Sequence, residues 1–385
     1  MKAAVRTIFE RALPGRRTHA LVIGVGAYPH CGGQGVTPLA QRVEPLSCAP
    51  VTAHKVARWL LEHQRSDTAA PLASMEVLIS PYPGRSTAPI EGTVPAAATY
   101  DNVIVAFDRW LERCNQDEDS VALFYFCGHG LARDPSQQFL LLEDFHASKN
   151  RPFDHAVDYG ATWEGMAGCR ARTQVFFLDT CREIPEEVLE PTRLYGRALI
   201  APIGKVYERT SAVTVYATAH GYEAFSPPDA PTPFSEAVLD TLGGLGARCK
   251  GTLNGPWHVT TDALGDVARV LSFHYPDAPQ RSHHEGESSG ADVLRELSGP
   301  PRVPLRLRFD PGHAIGSANL EVFRTTDRQL MIHWDHRPTP WTGHAEVGHY
   351  EVRATFNGAP WRDIGDQILV DTPVQDTCLY VKARP

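Results

Sequence analysis

The sequence lacks several features that would point to whole classes of protein. No apolar run approaches the roughly 18 to 20 residues that a membrane-spanning helix needs, so we expect no transmembrane segment. The formal net charge of −8 gives no indication of a positively charged surface that would bind nucleic acid. The eight cysteines form no C-x-x-C pair and no zinc-ligand spacing, which argues against a metal site. The N-terminal stretch is basic but has no apolar segment, and this excludes a secretory signal.

What remains is an ordinary globular composition. A chain of 385 residues with 42% hydrophobic residues can bury a large core, and its length suggests two or three domains. With no export signal, the scattered cysteines are expected to be reduced thiols, most of them buried. The cytoplasm is therefore the expected compartment.

The pattern of apolar runs divides the chain. Residues 1–17 form an N-terminal extension, and strand-like and helix-like segments alternate over 18–275, which predicts a mostly parallel sheet with helices on both faces. Residues 276–300 have the composition of a linker. Residues 301–385 contain short alternating runs between Gly, Pro and Asp turns, which predict a small all-β, sandwich-like domain.

Two strand-like runs of the α/β domain end in reactive residues. Residues 120–127 lead into Gly128-His129-Gly130, and residues 173–178 lead into Asp179-Thr180-Cys181. Each run is continuously apolar and too short for a typical helix, which predicts a buried strand of a parallel sheet. Sites in such sheets gather beyond the carboxyl ends of the strands. If the two strands are neighbours, His129 and Cys181 face each other across one cleft.

This pair has the chemistry of a thiol nucleophile and its base. A free cysteine has a pKa of about 8.5, and an imidazole can take its proton and later return it to a leaving amine. The N–H groups of Gly130 and Cys181 could form an oxyanion hole, worth roughly 3 kcal/mol per donor. A lone histidine or cysteine is more often structural, but the joint pattern is more specific.

The residues FYFCGHG and FFLDTCR resemble the catalytic strands of the caspase-like cysteine peptidases, which include caspases, metacaspases and bacterial orthocaspases. The histidine precedes the cysteine by 52 residues, against about 50 in caspases. ALVIGVGAYP resembles the opening strand of the bacterial members, and YATAHGYEAFSPPDAPTPFSEAVLDTL resembles their fifth strand and the helix that follows. The resemblance covers roughly 18–275 and says nothing about 300–385.

The resemblance implies a role for each site residue. Cys181 would be the nucleophile, His129 the general base and acid, and Gly130 the oxyanion donor with the Cys181 amide. Asp179 matches the acid that lines the primary specificity pocket of the Arg/Lys-cleaving members, although a strand-end cap or a salt bridge to Arg182 is an equal alternative. Thr52 stands where the bacterial members carry an acid. Glu223 could compensate for it, or could simply be solvated.

The implied function is an endopeptidase that cleaves a protein or peptide substrate after a basic residue, in bacterial regulated proteolysis or defence. The C-terminal β domain would recruit a partner. One alternative is a catalytically silent scaffold with the same fold, and another is a hydrolase or transferase with a non-peptide acyl substrate. No cofactor is expected; some metacaspases are activated by calcium, but no ligand loop is legible here.

The segment 182–210 occupies the place of the family's inter-subunit loop. Self-cleavage within it is a hypothesis, and an ordinary solvated loop is the favoured alternative. The basic residues in this segment that would be candidates for cleavage are Arg193, Arg197, Lys205 and Arg209.

Overall fold

The computed structural model describes residues 5–33, 36–134, 137–184, 196–202, 204–249, 255–278, 280–288, 292–335, 340–357 and 360–384. Contacts within the chain divide it into two units. The first comprises residues 1–239 and 260–295, and the second comprises 240–259 and 296–385. Both predicted catalytic strands lie in the first unit.

The secondary-structure elements have the following bounds in chain order. The strands are β1 (Phe9–Glu10), β2 (Thr18–Val25), β3 (Leu72–Ser80), β4 (Val121–Cys127), β5 (Gly130–Ala132), β6 (Gln138–Leu141), β7 (Ala156–Asp158), β8 (Thr173–Asp179), β9 (Ser211–Tyr216), β10 (Ala247–Cys249), β11 (Trp257–Thr260), β12 (His283–Ser288), β13 (Val293–Leu297), β14 (Arg302–Asp310), β15 (Asn319–Arg324), β16 (Leu330–Asp335), β17 (Trp341–Glu346), β18 (Gly348–Thr355), β19 (Ile364–Val370) and β20 (Gln375–Tyr380). The helices are α1 (Pro38–Gln41), α2 (Cys48–Trp59), α3 (Tyr100–Cys114), α4 (Tyr159–Gly165), α5 (Pro233–Asp240) and α6 (Val267–His274).

A seven-stranded sheet forms the centre of the first unit. Its strand order is β1-β3-β2-β4-β8-β9-β12. The five inner strands run parallel, while β1 and β12 pair antiparallel at the two edges. The prediction of a mostly parallel sheet flanked by helices is therefore confirmed.

The inner strands are continuously apolar because both faces of the sheet are covered. Every residue of β2, β4 and β8 is buried. On one face, α2 lies directly on the backbone of β2: a Cβ added at Gly24 would come within 2.5 Å of the Ala53 Cβ. On the other face, Leu21 and Ile23 pack in a core cluster with Trp110 of α3. The helices α2 and α3 therefore pack on opposite faces of the sheet and fix the positions of its strand ends.

Two small β-sheets lie between residues 302 and 380 of the second unit. One has the strand order β17-β14-β20 and the other β16-β15-β18-β19. Buried and exposed residues alternate along β15 and β18, so each strand turns one face to a core. Phe309 of β14 meets Phe356, which follows β18, with ring centroids 6.0 Å apart. This packing of one sheet on the other gives the sandwich-like domain that the alternating runs predict.

Part of the stretch 276–300 forms sheet structure, although its composition predicts a linker. Residues 283–288 form β12, which pairs with β9 along its whole length. All six of its residues are exposed, so the strand carries neither an apolar run nor an alternating pattern. Polar edge strands of this kind give no hydrophobic signal in a sequence.

The segment 182–210 lies partly outside the described residues, and this includes Arg193. Of the other candidate cleavage positions, Lys205 is exposed and Arg197 forms an isolated bridge with Val157 of β7. The Arg197 N–H donates to the Ala156 carbonyl at 3.0 Å. Self-cleavage in this segment stays a hypothesis.

Candidate active site

The first unit brings His129 and Cys181 to the same edge of the sheet. The strands β4 and β8 are parallel neighbours in which Cys127 stands opposite Asp179, and each reactive residue follows two positions later. The two chains stay side by side beyond the strands, since the Gly128 N–H donates to the Asp179 carbonyl at 3.4 Å. The two neighbouring strands that the sequence analysis required are therefore present.

Glycine is required at position 130 by this close approach. A Cβ there would lie 2.6 Å from the Thr180 hydroxyl oxygen and 2.8 Å from the Cys181 carbonyl oxygen. Contacts that short would push the chain after His129 away from the nucleophile. The backbone of Gly130 thus lies against Cys181, and its part in an oxyanion hole stays a prediction.

The imidazole of His129 is held by backbone and by a buried tyrosine. Its Nε2 lies 2.8 Å from the carbonyl oxygen of Glu44, and its ring centroid is 5.0 Å from that of Tyr28. The Tyr28 hydroxyl also accepts a hydrogen bond from the His129 N–H at 2.8 Å. Because a carbonyl only accepts, Nε2 carries the proton and Nδ1 presents a lone pair. The ring nitrogen that can accept a proton is therefore Nδ1.

Burial lowers the pKa of His129 below its ordinary value of 6.5, against smaller opposing effects of the Glu44 carbonyl and the nearby acids Glu44 and Glu183. The neutral ring can accept a proton at neutral pH. The carbonyl of Glu44 serves as the orienting third group, a role for which the sequence offered no residue. Any residue type supplies a backbone carbonyl, so composition carries no signal for it.

The thiol of Cys181 is half-buried and accepts a hydrogen bond from the Ala224 N–H at 3.3 Å. Burial raises its pKa above the ordinary value of 9.0, the Ala224 N–H lowers it, and Glu223, Glu183 and Asp179 raise it further. The thiol is thus protonated at neutral pH and needs a base before it can attack. The N–H of Ala224 is a second contact that residue type alone could not predict.

The residue after Cys181 fixes the chain to the far edge of the sheet. Arg182 is 1% exposed, and its guanidinium lies over the ring of Tyr216 at 3.9 Å from the centroid. It also forms an ion pair with Glu285 of β12 at 3.7 Å. Its backbone pairs with the loop after β9, as the Arg182 N–H donates to the Tyr222 carbonyl at 3.0 Å. Asp179 is not its ion-pair partner in these contacts.

Asp179, two residues before Cys181, lies in a buried polar cluster. It is 4% exposed, and its Oδ2 accepts hydrogen bonds from the Tyr125 hydroxyl at 2.7 Å and from the Thr232 hydroxyl. Thr52 belongs to the same cluster, because its hydroxyl accepts from the Thr232 N–H at 3.0 Å. Asp179 and Thr52 are therefore brought into one buried cluster, in which hydroxyl groups satisfy the carboxylate of Asp179. The role of Asp179 in specificity stays a prediction.

The burial of Asp179 has a measurable consequence for stability. Burial raises its pKa from 3.8 to about 6, against the hydrogen bonds from Thr232, Tyr125 and Cys127. The folded state therefore favours the protonated form, and stability falls as pH rises from 3.8 through 6. Asp179→Asn, which keeps an acceptor oxygen but carries no charge, is expected to raise the free energy of unfolding above pH 6 by up to about 3 kcal/mol. Urea unfolding of wild type and variant at pH 4 and pH 7.5 measures this difference in the free energy of unfolding.

At pH 4 the same variant should gain almost nothing, because the native carboxyl is then mostly protonated. Asp101→Asn, at an exposed position of α3, is the matched control and should change stability little at either pH. An equal effect of Asp179→Asn at both pH values would contradict this account of the buried carboxyl.

Acidic groups border the dyad. Glu223 is exposed and precedes Ala224, whose N–H contacts the thiol. Glu44 supplies the carbonyl to His129, and Glu183 follows Arg182. Glu183 pairs with Arg42 at 2.5 Å, which offsets its charge, so Glu44 and Glu223 are the acids of this group for which no ion pair has been described.

Comparison with known families identifies the class of protein. The family model described as the caspase domain, of the C14 peptidases, matches residues 17–254. The match covers more than half of the chain, which belongs to this family of cysteine peptidases. The resemblance seen in the strand motifs is confirmed.

Individual relatives are distant. The uncharacterized protein y4kE of Sinorhizobium fredii is 26% identical over 257 residues, which are 64% of this chain and 72% of that protein. A probable protease of a Desulfuromonadales bacterium is 27% identical over 171 residues, which are 44% of this chain and 18% of that protein. Among solved structures, caspase-1 from Spodoptera frugiperda aligns with a TM-score of 0.41 and 12% identity, over 77% of this chain and 96% of that one.

Two features of the described residues bear on partners and cofactors. Within those ranges, no helix is long and apolar enough to cross a membrane. In the same part of the chain, no group of three or more His, Cys, Asp or Glu side chains is placed to hold a metal ion.

Proposed function

We propose that the chain is a cysteine endopeptidase in which His129 and Cys181 form the catalytic dyad. The observation that carries the proposal is the placement of the two residues at one edge of the sheet, at the ends of paired strands. The orientation of the imidazole by the Glu44 carbonyl supports it, because the unprotonated Nδ1 is left for the thiol.

In the acylation step, Nδ1 of His129 takes the proton of the Cys181 thiol as the sulfur attacks the carbonyl carbon of the scissile peptide. The C–N bond of the resulting tetrahedral intermediate then breaks. His129 returns the proton to the leaving amine, and a thioester remains on Cys181. The N–H groups of Gly130 and Cys181 are proposed to donate to the oxyanion.

Deacylation reverses these roles. A water molecule gives a proton to His129 and attacks the thioester carbonyl. The C–S bond breaks, and Cys181 leaves as a thiol with the proton from His129. Neither half of the cycle needs a metal or an organic cofactor.

We propose that the enzyme prefers a basic residue, Arg or Lys, before the scissile bond. The negative charge of Glu223 and Glu44 around the dyad supports this preference, while the charge of Glu183 is offset by Arg42. Asp179 would contribute from beneath the site. The bacterial origin of y4kE and of the probable protease fits a setting in bacterial regulated proteolysis or defence. A partner bound by the C-terminal β domain is part of the same proposal.

Fluorogenic peptides with Arg, Lys or Asp before the cut test this preference. We expect kcat/KM to be highest for Arg and Lys and lowest for Asp. Glu223→Gln should raise KM for the Arg peptide by roughly twofold to fivefold, and the effect should shrink as salt rises, because an exposed charge is screened.

Glu112→Gln, at an exposed position of α3, is the matched control and should leave KM unchanged. Preference for Asp over Arg would refute the proposed specificity but keep the peptidase. Failure of every peptide, together with failure of a thiol probe to label Cys181, would favour the catalytically silent scaffold.

A further inference from the structure

The loop that follows β9 carries the amide that contacts the thiol of Cys181. The Ala224 N–H donates to the sulfur at 3.3 Å. Burial raises the pKa of the thiol, and this N–H lowers it. A backbone N–H has such an effect only while its peptide is held at hydrogen-bonding distance and angle. The groups that hold Ala224 in place therefore bear on the reactivity of Cys181.

The first half of this loop is held by the backbone of Arg182. The Arg182 N–H donates to the Tyr222 carbonyl at 3.0 Å, and the Gly221 N–H donates to the Arg182 carbonyl at 2.8 Å. These two bonds fix the loop as far as the residue two positions before Ala224. The chain after Ala224 needs an anchor of its own.

Gln280 supplies an anchor for the second half of the loop. Its Oε1 accepts a hydrogen bond from the Phe225 N–H at 2.6 Å, and its Nε2 donates to the Ala217 carbonyl at 3.4 Å. One amide group therefore joins the start of the loop to the residue directly after Ala224. The side chain of Gln280 is 4% exposed, so water competes little for either bond.

The topology of the sheet brings Gln280 to this place. The strand β12 runs antiparallel to β9, and its first residue, His283, stands opposite Tyr216. In an antiparallel pair, residues that precede one strand lie beside residues that follow the other. The Ser282 hydroxyl donates to the Tyr216 carbonyl at 2.9 Å and fixes the chain between Gln280 and β12. The position of Gln280 is thus set by the pairing of β12 with β9.

We propose that Gln280 is a positioning residue for Cys181: its amide holds the loop so that the Ala224 N–H stays on the sulfur. The role rests on the proposed function of Cys181 as the nucleophile, and it is exerted through Ala224 without contact with a substrate. Hydrogen bonds to a charged acceptor are about twice as strong as those between neutral groups, so the N–H stabilises the thiolate more than the thiol. Gln280 therefore favours the reactive form of Cys181.

Alkylation of Cys181 by iodoacetamide tests this role without any substrate. The reagent attacks the thiolate, so the rate rises with pH around the pKa of the thiol. Gln280→Met keeps the length of the side chain and removes both hydrogen bonds. We expect the midpoint of the rate profile to rise by about one pH unit, and the rate below it to fall about tenfold. Site-resolved mass spectrometry between pH 6 and 11 measures labelling at Cys181 apart from that at the other cysteines.

Gln64→Met is the matched control. Gln64 is another buried glutamine, also 4% exposed, and its Nε2 donates to the carbonyls of Ala70 and Leu294 at 2.7 Å and 2.9 Å. The control variant therefore also loses two buried hydrogen bonds, but beyond the end of α2 and not in the loop after β9. It should lower stability about as much as Gln280→Met and leave the alkylation profile of Cys181 unchanged.

Both variants keep the ionisable groups around the thiol. These are the acids Glu223, Glu183 and Asp179, together with His129 after the neighbouring strand. A shift in the profile of Gln280→Met alone therefore reports the placement of the loop. The same variant should lower kcat for the preferred fluorogenic peptide about fivefold to tenfold, and the control variant should not.

An alkylation profile of Gln280→Met that coincides with that of wild type would overturn the role of Gln280, whether or not the protein cleaves peptides. An equal shift in Gln64→Met would also overturn it, because the effect would then come from a general loosening of the fold. A shift confined to Gln280→Met, in a protein that cleaves no peptide, would reject the peptidase proposal and keep the positioning of the thiol.

If Gln280→Met does not fold, Gln280→Asn takes its place. Asparagine keeps a polar amide at the buried position but is one methylene shorter, so it cannot reach both Phe225 and Ala217. We expect its alkylation midpoint to rise as well, by about half a pH unit. An unchanged midpoint in this variant would count against Gln280 in the same way.

Discussion

Replacing Cys181 by alanine is expected to lower peptide cleavage by about 10⁴-fold or more, because it removes the thiol that is proposed to form the thioester. The fold should survive this change, because the buried strand β8 that precedes Cys181 is left intact. The thiol itself is only half-buried, and its contact with the Ala224 N–H is a single hydrogen bond. The measurement is kcat/KM on the preferred fluorogenic peptide, together with mass spectrometry after treatment with a thiol-reactive substrate analogue. Wild type should carry one adduct at Cys181, and the variant none.

The chain provides a matched control for this variant. Cys31 is also a half-buried free cysteine, and burial raises its pKa to about 11. Cys31→Ala should therefore keep both the activity and the adduct. Substantial cleavage by Cys181→Ala would rule out the assigned nucleophile, and loss of activity in both variants would point to a fault in folding.

Replacing His129 by alanine is expected to lower kcat/KM by about 10³-fold, since the thiol of Cys181 has a raised pKa and loses its base. Wild-type activity should fall as the pH drops through the pKa of His129, because the protonated ring cannot accept a proton. Burial places that midpoint below 6.5. The residual activity of the variant should instead rise with pH as the thiolate forms without help. Rates between pH 4.5 and 10 measure both profiles.

His63→Ala, at an exposed position beyond the end of α2, is the control and should keep the wild-type profile. If the activity of His129→Ala still falls as the pH drops, this acid limb of the pH profile belongs to the titration of another group. Asp179 is the competing candidate, because its pKa of about 6 falls in the same range. The acid limb of Asp179→Asn separates the two, since it should persist if His129 is the base.

The parts of the fold that could be predicted are those that bury apolar side chains. The strands before His129 and Cys181 are buried on both faces, so their sequences are unbroken apolar runs. Such a run predicts both the strand and the residue at which it ends. The close chain approach at Gly130 also has a sequence signal, because no other residue fits between Thr180 and the backbone of Cys181.

The parts that could not be predicted are made of backbone atoms or of polar residues. The Glu44 carbonyl and the Ala224 N–H contact the dyad through groups that every residue shares. The six residues of β12 are all exposed and resemble a loop in sequence. The burial of Asp179 depends on Tyr125 and Thr232, which are 54 and 53 residues away along the chain.

The ion pair between Arg182 and Glu285 has a consequence for the order in which the protein matures on the ribosome. Cys181 and His129 are synthesised well before β12, yet the residue beside Cys181 pairs with a carboxylate 103 positions later (285 minus 182). Chains that have emerged only as far as β9 have the dyad but lack this anchor and the antiparallel strand that carries it. A nascent chain would therefore anchor Arg182, and with it the segment that carries Cys181, only after β12 has been synthesised.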